Sequence, residues 1–248
     1  MSKANSDDAK AAALIAEGAG ELLLTVRKRG LLQKKALGAV GDTISNAFIT
    51  RIIRETYPND GLLSEEDKDD EARLEKQRVW IIDPLDGTRE YSEQRTDWAV
   101  HVALVVDGIP AACAVSLPGL GLTLSSVDPP PIAPPPPGRP RILVSRTRPP
   151  EVAQKVAELL HGDLVHMGSA GAKAMAVVRG EAHAYVHSGG QFEWDSAAPA
   201  GVAAAAGLHV SRLDGAPLRY NQPDPYLPDL IICRPELAAD ILKAVAAQ

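Results

Sequence analysis

The sequence predicts an α/β protein built in two halves, on three observations. Strand-like and helix-like patterns alternate through residues 141–248, which points to an α/β half. Residues 1–128 place two amphipathic helical stretches ahead of short apolar runs, an α+β pattern. Residues 129–140 hold eight prolines, which fit neither a helix interior nor a central strand. That stretch reads as a stiff polyproline connector between the halves, with an SH3-type ligand as the alternative.

The elements follow from local pattern. Residues 8–29 carry Leu14, Ile15, Leu22, Leu23 and Val26 at helical spacing, and Gly30 can end that helix. A second helix is expected from Asp42 to Glu55, with Ile44, Phe48, Ile49 and Ile52 on one face. Tyr57–Gly61 is a turn cluster, and a short strand from Leu62 runs into an acidic stretch read mainly as solvated. Val79–Ile82 reads as a buried strand, Ala99–Val106 and residues 111–117 as two more. Past the prolines, strands are expected at Arg141–Val144, Ala182–Val186 and Leu230–Cys233. Helices are expected at Pro150–Leu160, Ser169–Arg179, Asp195–Ala206 and Pro235–Ala247.

Composition bounds the function. The 248 residues are 45% apolar and 23% charged, which excludes global disorder; with 4% aromatics the core must come from Ala, Val, Leu and Ile. A net charge of −6 argues against a general nucleic-acid binder. No apolar run reaches the ~18 residues of a membrane span. Cys113 and Cys233 lie far apart without a C-x-x-C pair, so neither a disulfide framework nor a structural zinc is expected. The polar start, Met1 to Asp8, carries no secretory signal. The expectation is a reduced, cytoplasmic protein whose partner is a small molecule, not nucleic acid or membrane, with a homodimer left open.

The chemistry concentrates at Trp80-Ile-Ile-Asp-Pro-Leu-Asp-Gly-Thr88. An apolar strand delivers Asp83, Pro84 stops the strand, Asp86 follows, and Gly87 and Thr88 begin a helix whose free N–H groups could hold a phosphate. Two clustered carboxylates share a proton or bind a cation, and oxygen-only ligands suit Mg²⁺, Mn²⁺ or Ca²⁺. An Asx-type turn is the competing reading. Glu65, at the end of the preceding strand, could reach the same corner. Asp195 opens a helix, as its N-cap or as a further cation ligand, with Pro199 at the fourth helical position.

Leu63-Ser-Glu-Glu66, the Trp80–Thr88 segment and Trp194-Asp-Ser-Ala-Ala198 resemble the three signatures of the inositol monophosphatase-like superfamily. The Leu-Ser-Glu-Glu form and Val144-Ser-Arg-Thr-Arg148 make it most like the CysQ-type 3'(2'),5'-bisphosphate nucleotidases. The resemblance implies a five-layer αβαβα sandwich and two or three Mg²⁺ per active site, with Li⁺ inhibitory. It implies that Glu65, Asp83 and the Leu85 carbonyl hold one Mg²⁺, and that Asp83, Asp86 and Asp195 hold the second. Thr88 would orient the attacking water with a carboxylate's help, and Asp42 sits where the family often has an assisting acid. The Gly87 and Thr88 amides would bind phosphate. Substrate contacts would come from Ser145, Arg146, Ser169 and Lys173. Arg148 stands where the family often has His, Lys173 could equally be a solvated helix residue, and His187 reads either as an exposed loop residue or as pocket lining. The implied reaction removes the 3'-phosphate of adenosine 3',5'-bisphosphate, in sulfate assimilation. The rivals are inositol-1-phosphate or fructose-1,6-bisphosphate hydrolysis, and, from another class, a non-catalytic Ca²⁺- or phospholigand-binding module.

Overall fold

A computed structural model of the chain describes residues 6–246, so Met1–Asn5 and Ala247, the expected last residue of the final helix, lie outside the described residues. Helix α1 (Ser6–Arg29) buries Ala12, Ile15, Ala16, Ala19 and Leu23, a face of mostly small residues; Leu14, expected to be apolar-facing, is exposed. Helix α2 (Lys34–Thr56) starts eight residues before the expected Asp42. Gly38 and Gly41 look like helix breakers, but they are packing positions. A Cβ on Gly38 would lie 2.7 Å from the Thr88 side chain, and one on Gly41 2.9 Å from Leu85. Tertiary contact here overrides weak local propensity.

The first sheet has the order β1-β2-β3-β4-β5: β1 (Gly61–Ser64), β2 (Arg78–Asp86), β3 (Ala99–Val106), β4 (Ile109–Leu117) and β5 (Leu122–Ser125). Only β1 and β2 run parallel. A short helix, α3 (Thr88–Ser92), follows β2. The second sheet has the order β7-β6-β8-β10-β9: β6 (Arg141–Ser145), β7 (Asp163–Met167), β8 (Ala184–Ser188), β9 (His209–Ser211) and β10 (Asp229–Cys233). Strands β7, β6 and β8 are parallel, whereas β10 is antiparallel to both β8 and β9. The second half is therefore mixed, not a purely alternating α/β unit. Its helices are α4 (Glu151–Leu159), α5 (Ala170–Val178), α6 (Glu193–Ala205) and α7 (Ala238–Ala246).

Three cores define five layers. Ile15, Leu23, Ile49 and Ile53 of α1 and α2 pack on Trp80, Ile82, Val102 and Leu104 of the first sheet. The other face of that sheet, through Ile81, Ala103 and Val115, meets α5 and α6, which also cover Leu143 and Tyr185 of the second sheet. Helices α4 and α7 close the far side on Ile142, Val144 and Ile231. The layers run helix, sheet, helix, sheet, helix. The middle helices are rich in Ala because a layer between two sheets must be thin: a Cβ on Gly201 of α6 would lie 2.3 Å from the Cys113 sulfur. The proline stretch forms no helix or strand, and Arg234 Nη1 donates to the Ala133 carbonyl at 2.7 Å, fastening it to the strand end of β10. No helix among the described residues is long and apolar enough to cross a membrane.

Candidate active site

The site forms where β2 ends against the middle helices. Pro84 does not stop the strand as expected: β2 runs on to Asp86, and because Pro84 has no N–H to donate, the β2–β3 register only shifts between Asp83 and Asp86 before pairing resumes at Asp86 with Ala99. The bulge turns both carboxylates to one side. Asp83 accepts from the Leu85 amide at 3.0 Å, which stiffens the corner. Gly87 caps α3 at φ 88°, and an added Cβ would meet Ser169 at 3.2 Å and Trp98 at 3.3 Å, so glycine is required on both counts.

Carboxylate oxygens of Asp83, Asp86 and Asp195 all lie within 4.8 Å of one another. Asp195 is not the N-cap of α6. Phe192 takes that place, Asp195 is the third helical residue, and its carboxylate accepts from the Phe192 amide at 2.7 Å. Pro199 consequently falls at the seventh helical position, one turn deeper than expected. Parallel pairing of β1 with β2, Ser64 beside Ile82, brings Glu65 to Asp83. Thr88 Oγ1 lies 3.1 Å from both the Asp42 carboxylate and the Leu85 carbonyl. Asp42 and Thr88 also line a cleft of ≈ 690 Å³ between α2 and α3, shared with Lys34, Lys35 and Arg89.

Crowding of like charges shapes the electrostatics. Burial pushes Asp83 well above the usual carboxylate range, and Glu65, Asp86 and Asp195 push it further. Glu65 is exposed as a residue, yet desolvation of its carboxyl beside Asp83, and then the Asp195 charge, raises it to about 7. Burial and then the Asp86 charge raise Asp195 to about 6. Asp42 is raised to about 6 by burial, against the hydrogen bond from Thr88. Asp86 goes the other way. Burial alone would raise it, but the His101 charge, Lys173 and the Ser169 hydroxyl hold it at about 2. Asp83, Asp86 and Asp195, with Glu65 hydrogen-bonded to Asp83, make a hard-oxygen cluster of the kind a divalent cation fits.

A sequence profile of the inositol monophosphatase family matches residues 3–248. The chain belongs to that family. It is 50% identical, over 98% of its length and 95% of the relative's, to a 3'-phosphoadenosine 5'-phosphate phosphatase of Mycobacterium leprae. It is 31% identical, over 75% of its length and 80% of the relative's, to the 3'(2'),5'-bisphosphate nucleotidase CysQ of Escherichia coli. Among solved structures, CysQ from Bacteroides thetaiotaomicron superposes with a TM-score of 0.82 at 26% identity, covering 92% of this chain and 97% of that one. The mixed α/β architecture with two mixed sheets is the fold of this family.

Within this family member, the residues expected to hold substrate have other partners. Lys173 is not on a solvated face: it is 4% exposed, and its ammonium donates to the carbonyls of Met167, Gly168 and Ser169. Burial lowers it to about 8 while the nearby acids hold it up. Ser169 caps α5, accepting from Ala172 and donating to Asp86 at 2.5 Å; it supports the acid cluster instead of reaching outward. Arg146 pairs with Glu90 and Glu93 of the first half, each at 2.8 Å. Ser145 lies at the end of β6, where its hydroxyl accepts from the Arg148 amide at 3.3 Å. Arg148 itself is exposed, beside Gly190. His187 is not on an exposed loop: it lies buried in β8, one residue before the strand's end, with Nε2 at 2.8 Å from the Gly189 carbonyl and Nδ1 without a partner. Burial lowers it to about 4, so it is neutral.

One residue at this site escaped the sequence reading. His101 of β3 is fully buried, with Nε2 3.1 Å from Asp86 and Nδ1 3.0 Å from the Trp194 carbonyl. Its signal was present: strand alternation puts it on a face with Ala99 and Ala103, where a histidine needs a polar partner.

Proposed function

We propose that this chain is a Mg²⁺-dependent phosphatase that removes the 3'-phosphate of adenosine 3',5'-bisphosphate, yielding AMP and phosphate, in sulfate assimilation. The observation that carries the reaction class is the acid cluster Glu65, Asp83, Asp86 and Asp195 set beside Thr88. The 50% identity to a 3'-phosphoadenosine 5'-phosphate phosphatase supports the substrate. The two free, buried cysteines suit the cytoplasm.

Glu65, Asp83 and the Leu85 carbonyl would hold one Mg²⁺, and Asp83, Asp86 and Asp195 a second. Bound there, Mg²⁺ supplies the Lewis acidity that activates water and stabilises the departing alkoxide. The protein's own groups do the rest. The Gly87 and Thr88 amides at the β2 corner receive the phosphate oxygens. Thr88 Oγ1, fixed by donating to Asp42 or Leu85, accepts from the attacking water and aims it. Asp42, raised to about 6, takes the water's proton at its carboxylate. The bond from phosphorus to the 3'-oxygen breaks, and that oxygen leaves with a proton from solvent. With Lys173 and Arg146 engaged by protein groups, the exposed cations that could meet the 5'-phosphate are Arg148 and the cleft residues Lys34 and Lys35.

Phosphate release with adenosine 3',5'-bisphosphate, inositol-1-phosphate and fructose-1,6-bisphosphate tests the reading. Turnover is expected to be fastest on the first, absent in excess EDTA, and reduced by millimolar Li⁺. Faster release from either rival would reassign the substrate. No turnover of any with Mg²⁺ would leave a cation- or phospholigand-binding module.

A further inference from the structure

His101 touches the Asp86 carboxylate and the α6 backbone next to Asp195 at once. Its ring lies between β2 and α6: Nδ1 faces the Trp194 carbonyl in the first turn of α6, one residue before Asp195. Nε2 faces Asp86 Oδ2 at an ion-pair distance, off the axis of a regular hydrogen bond. The third site-bearing element, α5, is shaped around it, since any Cβ on Gly171 would come within 2.1 Å of Nε2. Asp86 Oδ2 thus meets Ser169 Oγ, the Gly171 amide and His101, whereas Oδ1 receives only the Ala170 amide at 3.1 Å. A carboxylate oxygen so surrounded has no lone pair to spare, so Oδ1 is the atom left to face a cation.

We propose that His101 is a positioning residue: by spanning Asp86 and the α6 backbone beside Asp195, it fixes which oxygen Asp86 presents and how far that oxygen stands from Asp195. The inference rests on the reading of these acids as cation ligands. Its logic is that of any polar group that orients a metal-binding side chain from behind, where loss typically weakens metal binding 10–100-fold. A ring that merely filled the core would not need polar atoms aimed at two separate elements.

The test compares His101→Leu, which fills the space without a donor, with His101→Gln, whose amide can still reach Asp86. Mg²⁺ binding is measured by calorimetry without substrate, alongside Mn²⁺ binding by electron paramagnetic resonance, with thermal unfolding in EDTA as the folding control. His101→Leu is expected to weaken cation binding about 10–100-fold, and His101→Gln to restore most of it. If His101→Leu does not fold, His101→Asn, one carbon too short for Asp86, replaces it with the same expected loss. Wild-type affinity in the Leu or Asn variant, or an equal loss in Gln, would overturn the proposal. Absence of Mg²⁺ binding by the unsubstituted protein would instead overturn the cation reading, and this inference with it.

Discussion

Asp195→Asn should stabilise the metal-free protein while abolishing its activity. Asparagine keeps the acceptor that receives the Phe192 amide at 2.7 Å, so the start of α6 survives. It removes only the charge. The folded pKa of Asp195 is raised from 3.8 to about 6 by burial and the Asp86 charge. A carboxyl raised in this way contributes stability that is fully present below pH 3.8 and is lost as pH rises through 6. Roughly two pH units at 1.36 kcal/mol each set an upper bound of about 3 kcal/mol at pH 8. Partial exposure of the residue reduces this to about 2 kcal/mol, or about 4–8 °C for a chain of this size. The assay is thermal unfolding in EDTA at pH 4.5 and pH 8. The variant should melt above wild type at both, by about a third as much at the lower pH as at the higher. With Mg²⁺ added at pH 8 the order should reverse, because only wild type gains the full binding energy. A variant no more stable than wild type at pH 8 in EDTA would refute the idea that these acids are held together under charge repulsion.

Thr88→Ala should lower kcat about 10–100-fold with little change in KM, since a hydroxyl that aims water acts in the transition state; steady-state phosphate release checks this, and a rise in KM alone would make Thr88 a binding residue. Lys173→Ala should cost about 2–4 kcal/mol in stability, from unpaired carbonyls and a cavity, read as a lower urea midpoint. It should impair hydrolysis of adenosine 3',5'-bisphosphate and inositol-1-phosphate alike; a loss confined to the bisphosphate with unchanged stability would return Lys173 to the substrate site.

The corner at Asp83 and Asp86 was legible in sequence because every force that makes it is local. An apolar run must end, proline cannot donate to the ladder and so forces a bulge, and glycine alone tolerates φ 88° beside Ser169. The same holds for the long helices and the strands β2, β3 and β4, whose periodicity is strong. Strands β5, β7 and β9 went unseen because each is only three to five residues long and partly polar, and each lies at a sheet edge with one neighbour. Other features depend on which element arrives from elsewhere in the chain. Gly38 and Gly41 are helical because α3 packs against them, which no window of sequence can report. Lys173 and Arg146 look like free cations until the fold supplies carbonyls to one and carboxylates to the other. His101 looks like an interruption in a strand until β2, α5 and α6 close around it. Backbone geometry is decided by neighbours along the chain. The charge state and the partners of a buried polar group are decided by neighbours in space, and those exist only once the layers have packed.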